Sequence, residues 1–170
     1  MRLKLLTLSC FALTPLAFAA PEDFKTGPII TDFGPVASIE AAPKIAPETR
    51  FMVAYDIAEA SKDGAVNRRL ETAARFLNMH ARAGVPATNM QVALVVHGPA
   101  SADLTTRTDN PNKDLIAALI EADVSIVLCG QTAAYRGIDQ DDLLPGVTLS
   151  LSAMTAHAQL QQQGYTLNPF

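Results

Sequence analysis

The chain has 170 residues, 49% of them hydrophobic, so it is long enough for one domain with a substantial core. Its 13 Lys and Arg residues are outnumbered by 17 Asp and Glu residues, which gives a formal net charge of −4. An acidic chain without a strongly basic stretch disfavours nucleic acid and anionic membrane surfaces as partners.

The first 19 residues have the pattern of a secretory signal peptide. Arg2 and Lys4 form a short basic region, an apolar stretch follows, and residues 17–19 (Ala-Phe-Ala) make a small-x-small cleavage site. We expect cleavage after Ala19 and a periplasmic or secreted protein with no membrane span afterwards. A retained membrane anchor is the alternative, and the shortness of the apolar stretch disfavours it. Loss of Arg2 and Lys4 leaves 11 basic residues against 17 acidic ones, a net charge of −6.

The two cysteines have different expected fates. Cys10 lies within the signal peptide and would leave with it, whereas Cys129 would remain as the sole thiol of the mature protein. A lone cysteine in an oxidising compartment is buried and inert, paired between chains, or reactive.

Residues 20–48 form a proline-rich segment unlike the rest of the chain. Prolines at positions 21, 28, 35, 43 and 47 prevent a regular helix. The segment also carries apolar side chains, such as Phe24, Ile29 and Phe33, that are costly to leave in water. We therefore expect an extended arm that lies on its own domain or on a neighbouring subunit, with a flexible linker as the alternative. The domain itself would span residues 49–170.

Strands and helices alternate from residue 50 onward. Strands are predicted at residues 51–57, 91–96, 124–128, 147–151 and 165–167, and helices at 65–83, 110–122 and 153–163, with a short helix after Cys129. Asn110 followed by Pro111 is typical of an N-cap and first helical residue. The segment 91–96 is almost continuously apolar, which indicates a parallel strand covered on both faces. The alternation predicts an α/β fold with a mainly parallel sheet of about five strands.

Candidate functional residues follow the predicted strands. Asp56, His97 and Cys129 lie at three strand ends, and binding sites in open parallel sheets collect at the carboxyl ends of the strands. Cys129 also precedes a short helix, whose N-terminal amides favour the reactive thiolate. We predict Cys129 as the nucleophilic or sulfur-carrying residue, with His97 as its proton-transfer partner and Arg136 helping to hold the thiolate. The predicted substrate-binding residues are Asp56, Gly98, Asn110, Gly130 and Gln131.

Each of these residues also has a purely structural interpretation. Cys129 would end a buried strand, His97 would bond to loop backbone, Asp56 would cap a turn and Arg136 would be an ordinary exposed arginine. No metal or cofactor is expected. The three histidines and Cys129 show no metal-ligand spacing, with His80 and His157 on helices far from Cys129 in sequence, and no phosphate-binding glycine motif or Gly-x-Ser-x-Gly elbow occurs.

The segment from Cys129 to Gly137 (CGQTAAYRG) resembles the site segment of the DsrE/DsrF-like family. Residues 95–98 (VVHG), residues 110–112 (NPN) and the tail from residue 153 carry the same resemblance, which extends from about residue 51 to 170. The proline-rich arm is similar to that of the secreted branch. The resemblance implies a compact three-layer α/β/α sandwich that assembles into homo- or hetero-oligomers, often trimers or hexamers.

In the sulfur-relay subunits of that family, a cysteine before an Ala-Ala-x-Arg-like helix carries a persulfide. Cys129, followed by Ala133, Ala134 and Arg136, corresponds to it by motif. The resemblance therefore implies an exported handler of sulfane sulfur, a sulfurtransferase-like carrier with a donor or acceptor protein as partner. Relay subunits, however, work in the cytoplasm and have more apolar residues after the cysteine. Two alternatives stay open: a non-catalytic oligomeric binding or scaffold module with a structural cysteine, and a redox-sensing thiol that pairs between subunits.

Overall fold

The computed structural model describes residues 20–62, 64–106 and 109–169, so the predicted signal peptide and Cys10 lie outside the described residues. The strands are β1 (Phe51–Ile57), β2 (Met90–Val96), β3 (Ser125–Cys129), β4 (Thr148–Ser150) and β5 (Thr166–Asn168). They form one sheet in the order β4-β3-β2-β1-β5, and every neighbouring pair is parallel. The predicted α/β class and parallel sheet are confirmed, and the strand order is new information.

In the described residues, four α-helices connect and cover the strands. They are α1 (Arg68–Arg82), α2 (Lys113–Glu121), α3 (Gly130–Arg136) and α4 (Ala153–Gln162). Short 3-10 helices lie at Pro21–Asp23, Ala87–Asn89, Gly98–Leu104 and Gln140–Asp142. Within the described ranges, no helix combines the length and apolar character that a bilayer crossing requires.

The prediction that Asn110 caps α2 is wrong. The N-cap is Asn112, and the Asn110 side chain is buried in the preceding loop. Its Nδ2 group donates to the backbone carbonyl oxygens of Asp103 and Thr105, at 2.6 and 3.0 Å. Its Oδ1 atom accepts from the backbone N–H group of Asn112 at 2.9 Å. Asn110 therefore closes the loop in front of the helix instead of beginning it.

The two faces of the sheet bury different side chains, because successive residues of a strand point to opposite faces. The face under α1 and α2 carries the hydrophobic core, with Tyr55, Leu94 and Leu128 among its fully buried strand residues. The other face, covered by α4, buries small side chains such as Ala54 and Ala93. These two surfaces are called the core face and the α4 face below.

The proline-rich arm lies on α1 of its own chain. The Asn78 carboxamide, fully buried on α1, accepts from the N–H groups of Ile29 and Ile30 and donates to arm carbonyl oxygens. The Arg82 guanidinium donates to four more arm carbonyl oxygens. Of the two placements that the sequence left open, the arm occupies the one on its own domain.

Candidate functional site

Cys129 lies at the junction of β3 and α3, where it is the last strand residue and the N-cap of the helix. Its side chain is buried, with 6% of the residue exposed. The Thr132 hydroxyl and the backbone N–H groups of Thr132, Ala153 and Gln131 lie near the sulfur and favour its charged form. Within the described residues, the side chain makes no capping hydrogen bond to α3. The donors come from the first turn of α3 and from the first residue of α4, so two helix N-termini converge on one thiol.

These donors set the acidity of the thiol. Burial by itself raises the pKa of Cys129, because a charged sulfur is costly in an apolar environment. The donor groups of the Thr132 side chain and of the three backbone amides outweigh burial and hold the pKa of Cys129 below the ordinary value of a cysteine. The thiolate is the nucleophilic form of cysteine, so the arrangement favours chemistry at this sulfur.

Close packing between α3 and the β4–α4 loop brings the Ala153 amide to Cys129. A β-carbon at position 130 would collide with the carbonyl oxygen of Ser150, so only glycine permits this approach. Gln131 strengthens the junction, because its side-chain amide donates to the Leu151 carbonyl oxygen at 3.3 Å. Gly130 and Gln131, both predicted to bind substrate, therefore hold two segments of the chain together.

A second cluster lies nearby on the α4 face, centred on the Asp56 carboxylate at the end of β1. Its Oδ2 lies 3.1 Å from Nε2 of His97, and its Oδ1 lies 2.7 Å from Nε2 of His157 on α4. Partial burial raises the pKa of Asp56, but the hydrogen bonds and positive charge of the two histidines outweigh it and hold the pKa below the usual value. The Asp56 carboxylate therefore holds both imidazole rings in position.

The sheet register relates this cluster to the thiol. Val96 pairs with Leu128, so His97 and Cys129 occupy the next positions of neighbouring strands on the α4 face. The Gly98 N–H donates to the Thr132 hydroxyl oxygen at 3.2 Å, which links the segment after β2 to the first turn of α3. In residues 20–62, 64–106 and 109–169 no hydrogen bond joins the His97 ring to Cys129.

The remaining predicted residues lie elsewhere. Arg136 is exposed in the last turn of α3, and seven residues of helix place it about 10 Å along the axis from Cys129. The side-chain hydrogen bonds of Asn110 are all made within the loop before α2, and they give this residue a structural role. Within the described part of the chain, no three His, Cys, Asp or Glu side chains are grouped to hold a metal ion.

Sequence reasoning missed Thr132 and His157. A threonine three residues after an N-cap is placed to reach back toward it, as in a capping box, and this spacing was available as a signal for Thr132. His157 was assigned to a helix far in sequence from the thiol, but α4 begins at the same rim of the sheet where β1 and β3 end. Its fifth residue can therefore turn inward onto Asp56.

The chain is thus a parallel-sheet α/β domain with a cysteine at a strand-to-helix junction. The model of the DsrE/DsrF-like family matches residues 51–169, and the chain belongs to this family. The assignment made from the sequence is thereby confirmed, whereas membership of a secreted branch stays a prediction.

Two solved structures have the same fold. One is a protein of unknown function, MTH1491 from Methanobacterium thermoautotrophicum, with 19% identity, a TM-score of 0.57 and coverage of 71% of this chain and 99% of that one. The other is the YchN protein of E. coli, with 16% identity, a TM-score of 0.53 and the same coverage. A search of proteins with curated functions found no match.

Proposed function

We propose that this protein is an exported handler of sulfane sulfur in which Cys129 carries the sulfur as a persulfide. The observation that supports the proposal is the convergence of the Thr132 hydroxyl and three backbone amides on the Cys129 sulfur. Donors of this kind stabilise a thiolate, which is the form of cysteine that attacks sulfane sulfur. Membership of the DsrE/DsrF-like family adds to this argument.

The transfer that we propose is a displacement at sulfur. The Cys129 thiolate attacks the outer sulfur of a donor persulfide, R–S–SH. A new S–S bond forms to give Cys129–S–SH, and the S–S bond of the donor breaks and releases R–S⁻. An acceptor thiolate then attacks the outer sulfur of Cys129–S–SH, takes it over and restores the Cys129 thiolate. No external oxidant is required, because the sulfane sulfur only exchanges one thiol partner for another.

The Asp56 cluster supplies a proton-transfer partner in this scheme. In the tautomer whose Nε2–H group donates a hydrogen bond to Asp56, Nδ1 of His97 carries no proton and can accept one. His97 follows β2, the strand next to the one that Cys129 ends. We assign His97 the proton that leaves when Cys129–S–SH ionises, with Asp56 and His157 as positioning residues. Arg136 is kept as a contact for an approaching anionic donor, since it is exposed at the far end of α3.

Intact-mass analysis after incubation with inorganic polysulfide tests the carrier role. We expect a chain with Cys10 replaced by serine to gain the mass of one sulfur atom, and a reducing agent should remove that gain. The matched variant with the additional change Cys129→Ala should gain nothing. Equal gains in the two proteins would refute the proposal.

Export of the protein belongs to the same proposal. We infer cleavage after Ala19 and a periplasmic or secreted mature chain, which N-terminal sequencing of protein from the exported fraction would check. A chain that stays in the cytoplasm with its first residues intact would contradict the inference. The donor and acceptor are then proteins or persulfides of that same compartment.

A second candidate is an oligomeric scaffold, a homo-trimer or hexamer in which Cys129 only packs. The observation that favours it is the exposure of large apolar side chains around the cysteine junction: Tyr135 is 88%, Leu151 72% and Met154 80% exposed. Side chains of this kind suit a subunit interface. Sedimentation of Leu151→Asp beside wild type would show dissociation if they form one. A scaffold without sulfur gain supports this candidate, whereas an oligomer that gains sulfur supports the first.

A further inference from the structure

A cleft of about 890 Å³ lies on the core face, on the opposite side of the sheet from Cys129. It is bounded by the loop after β1, by the outer side of α1 and by the end of β5. The cleft arises because α1 packs over β2 and against α2, which leaves the sheet uncovered toward its β5 edge. Its volume lies within the range of small-molecule sites, which is roughly 300–1,000 Å³.

The floor of the cleft is apolar and aromatic. Tyr55 and Phe76 are both buried, with rings 6.4 Å apart in an edge-on arrangement, and Val66 and Met79 extend this surface. Flat apolar walls of this kind bind aromatic or acyl groups through burial of their surface. The floor therefore contacts the apolar part of a ligand and does not interact with its charged group.

The rim of the cleft is cationic. Lys62, Arg68, Arg69 and Arg75 line it, and Glu59 is the only carboxylate among its described lining residues. None of the three arginines has an ion-pair partner in residues 20–62, 64–106 and 109–169. This grouping stands out in a chain whose net charge is −4. Unpaired guanidinium groups beside an apolar surface suit a carboxylate or sulfonate.

Helical spacing places the charges along one edge of the cleft. Arg68, Thr72, Arg75 and Met79 are separated by steps of four, three and four residues, so they form one ridge of α1. Across from the ridge, Tyr55 contributes a buried hydroxyl. Burial raises the pKa of Tyr55 to about 12, so the hydroxyl keeps its proton.

The Tyr55 hydroxyl has a proton to give. Its one hydrogen bond in the described part of the chain is accepted from the Asn168 side chain at 3.4 Å. The same residues contain no acceptor for its proton, so a ligand oxygen in the cleft would provide one. The cleft thus combines an apolar floor, a cationic edge and a neutral donor.

We propose that this cleft binds a small organic anion that carries an aromatic or acyl group. The arginine ridge holds the acidic group, the Tyr55 hydroxyl donates to it, and the floor around Phe76 covers the apolar body. The site is separate from the sulfur chemistry proposed for Cys129, because it lies on the other face of the sheet.

Fluorescence titration of the full chain with anilinonaphthalene sulfonate, an aromatic sulfonate, tests the proposal. We expect saturable binding that weakens about tenfold in Arg75→Gln and in the double variant Arg68→Gln/Arg69→Gln, a loss of about 1.4 kcal/mol each. Arg68 and Arg69 are exposed, so the double variant should fold normally. Tyr55→Phe should weaken binding less. Arg50→Gln removes an arginine outside the cleft and should leave the affinity unchanged.

A neutral probe separates the two halves of the site. Phenylnaphthylamine, which lacks the sulfonate, should bind wild type and the arginine variants equally, because only the floor holds it. Equal sulfonate affinity in wild type and both arginine variants would overturn the proposal, as would an equal loss in Arg50→Gln. Sedimentation that shows the arginine variants dissociating an oligomer would also overturn it, since the cleft would then be a subunit interface.

Discussion

The two faces of the sheet carry out different tasks with neighbouring residues of the same strands. Leu128 lies on the core face and is fully buried among large apolar side chains from α1 and α2. Cys129, the next residue, lies on the α4 face, where Asp56, His97 and Cys129 lie toward the strand ends. Packing stabilises one face, while polar and nucleophilic groups gather at the rim of the other.

The core face and the α4 face should therefore differ in how well they tolerate substitutions. Large apolar side chains on the core face form the hydrophobic core, so the α4 face can place titratable groups at its rim at little cost in stability. Hydrogen bonds from His97 and His157 satisfy the Asp56 carboxylate. The Thr132 hydroxyl and the Ala153 amide favour the charged form of the Cys129 thiol. Stability and reactivity are thereby separated across one sheet.

Substitution of the adjacent residues Leu128 and Cys129 should show the largest difference between the two faces. Leu128→Ala should lower the free energy of unfolding by about 2–5 kcal/mol, because it leaves a cavity in the core. Cys129→Ala should lower it by about 1 kcal/mol or less, because it removes a single atom at the end of the strand. Urea denaturation of the two variants beside wild type measures both values. Similar losses in the two variants would contradict the contrast between the faces.

Gly130 is the tight point on the α4 face and should be the exception there. Gly130→Ala should lower the free energy of unfolding by roughly 1–3 kcal/mol, because its β-carbon would meet the Ser150 carbonyl oxygen. Gly137→Ala is the matched control, with a positive φ of 60° but open space around its β-carbon, and we expect a loss of about 1 kcal/mol. Thermal unfolding of both variants decides the order. A smaller loss at position 130 would show that the junction yields easily.

The Asp56 cluster should give the smallest effect, and the size of that effect depends on pH. The pKa of Asp56 is lowered in the folded protein, so its ionised form stabilises the fold above the unfolded value of about 3.9. That stabilisation is lost as the pH falls through the lower folded value. Because the side chain is 44% exposed, we expect less than about 1 kcal/mol.

Asp56→Asn provides the measurement for this cluster. The variant should unfold more easily than wild type near pH 6, and the difference should be smaller near pH 3, which is below the unfolded value of about 3.9. Asp141→Asn, an exposed carboxylate away from the histidines, should show no such convergence. A constant difference between Asp56→Asn and wild type at both pH values would rule out the ionised contact as its cause.

Much of the fold could be predicted because local patterns determine it. The apolar run that became β2 and the three- and four-residue spacing of α1 each reflect a periodicity that a single sequence displays. The start of α2 could not be predicted from the Asn-Pro pair, because Asn110 forms its bonds with Asp103 and Thr105 across a loop. Strand order likewise depends on contacts between segments far apart in the chain.

The candidate site divides in the same way. Cys129, His97 and Asp56 could be named because parallel strands bring their carboxyl ends to one rim. His157 could not, because its contact with Asp56 spans 101 residues and depends on how α4 returns across the sheet. The Ala153 amide carries no sequence signal, since every residue but proline has one. Contacts of this kind require the three-dimensional structure.

The acidity of the Cys129 thiol provides a direct test of the proposed sulfur carrier. The rate of alkylation by iodoacetamide should be followed against pH, with Cys10 replaced by serine so that a single thiol reacts. We expect a midpoint below the free-cysteine value of about 8.5, and a higher midpoint in Thr132→Val, which lacks the hydroxyl donor. A wild-type midpoint at or above about 8.5, or no reaction in the folded protein, would contradict a working thiolate at the junction of β3 and α3.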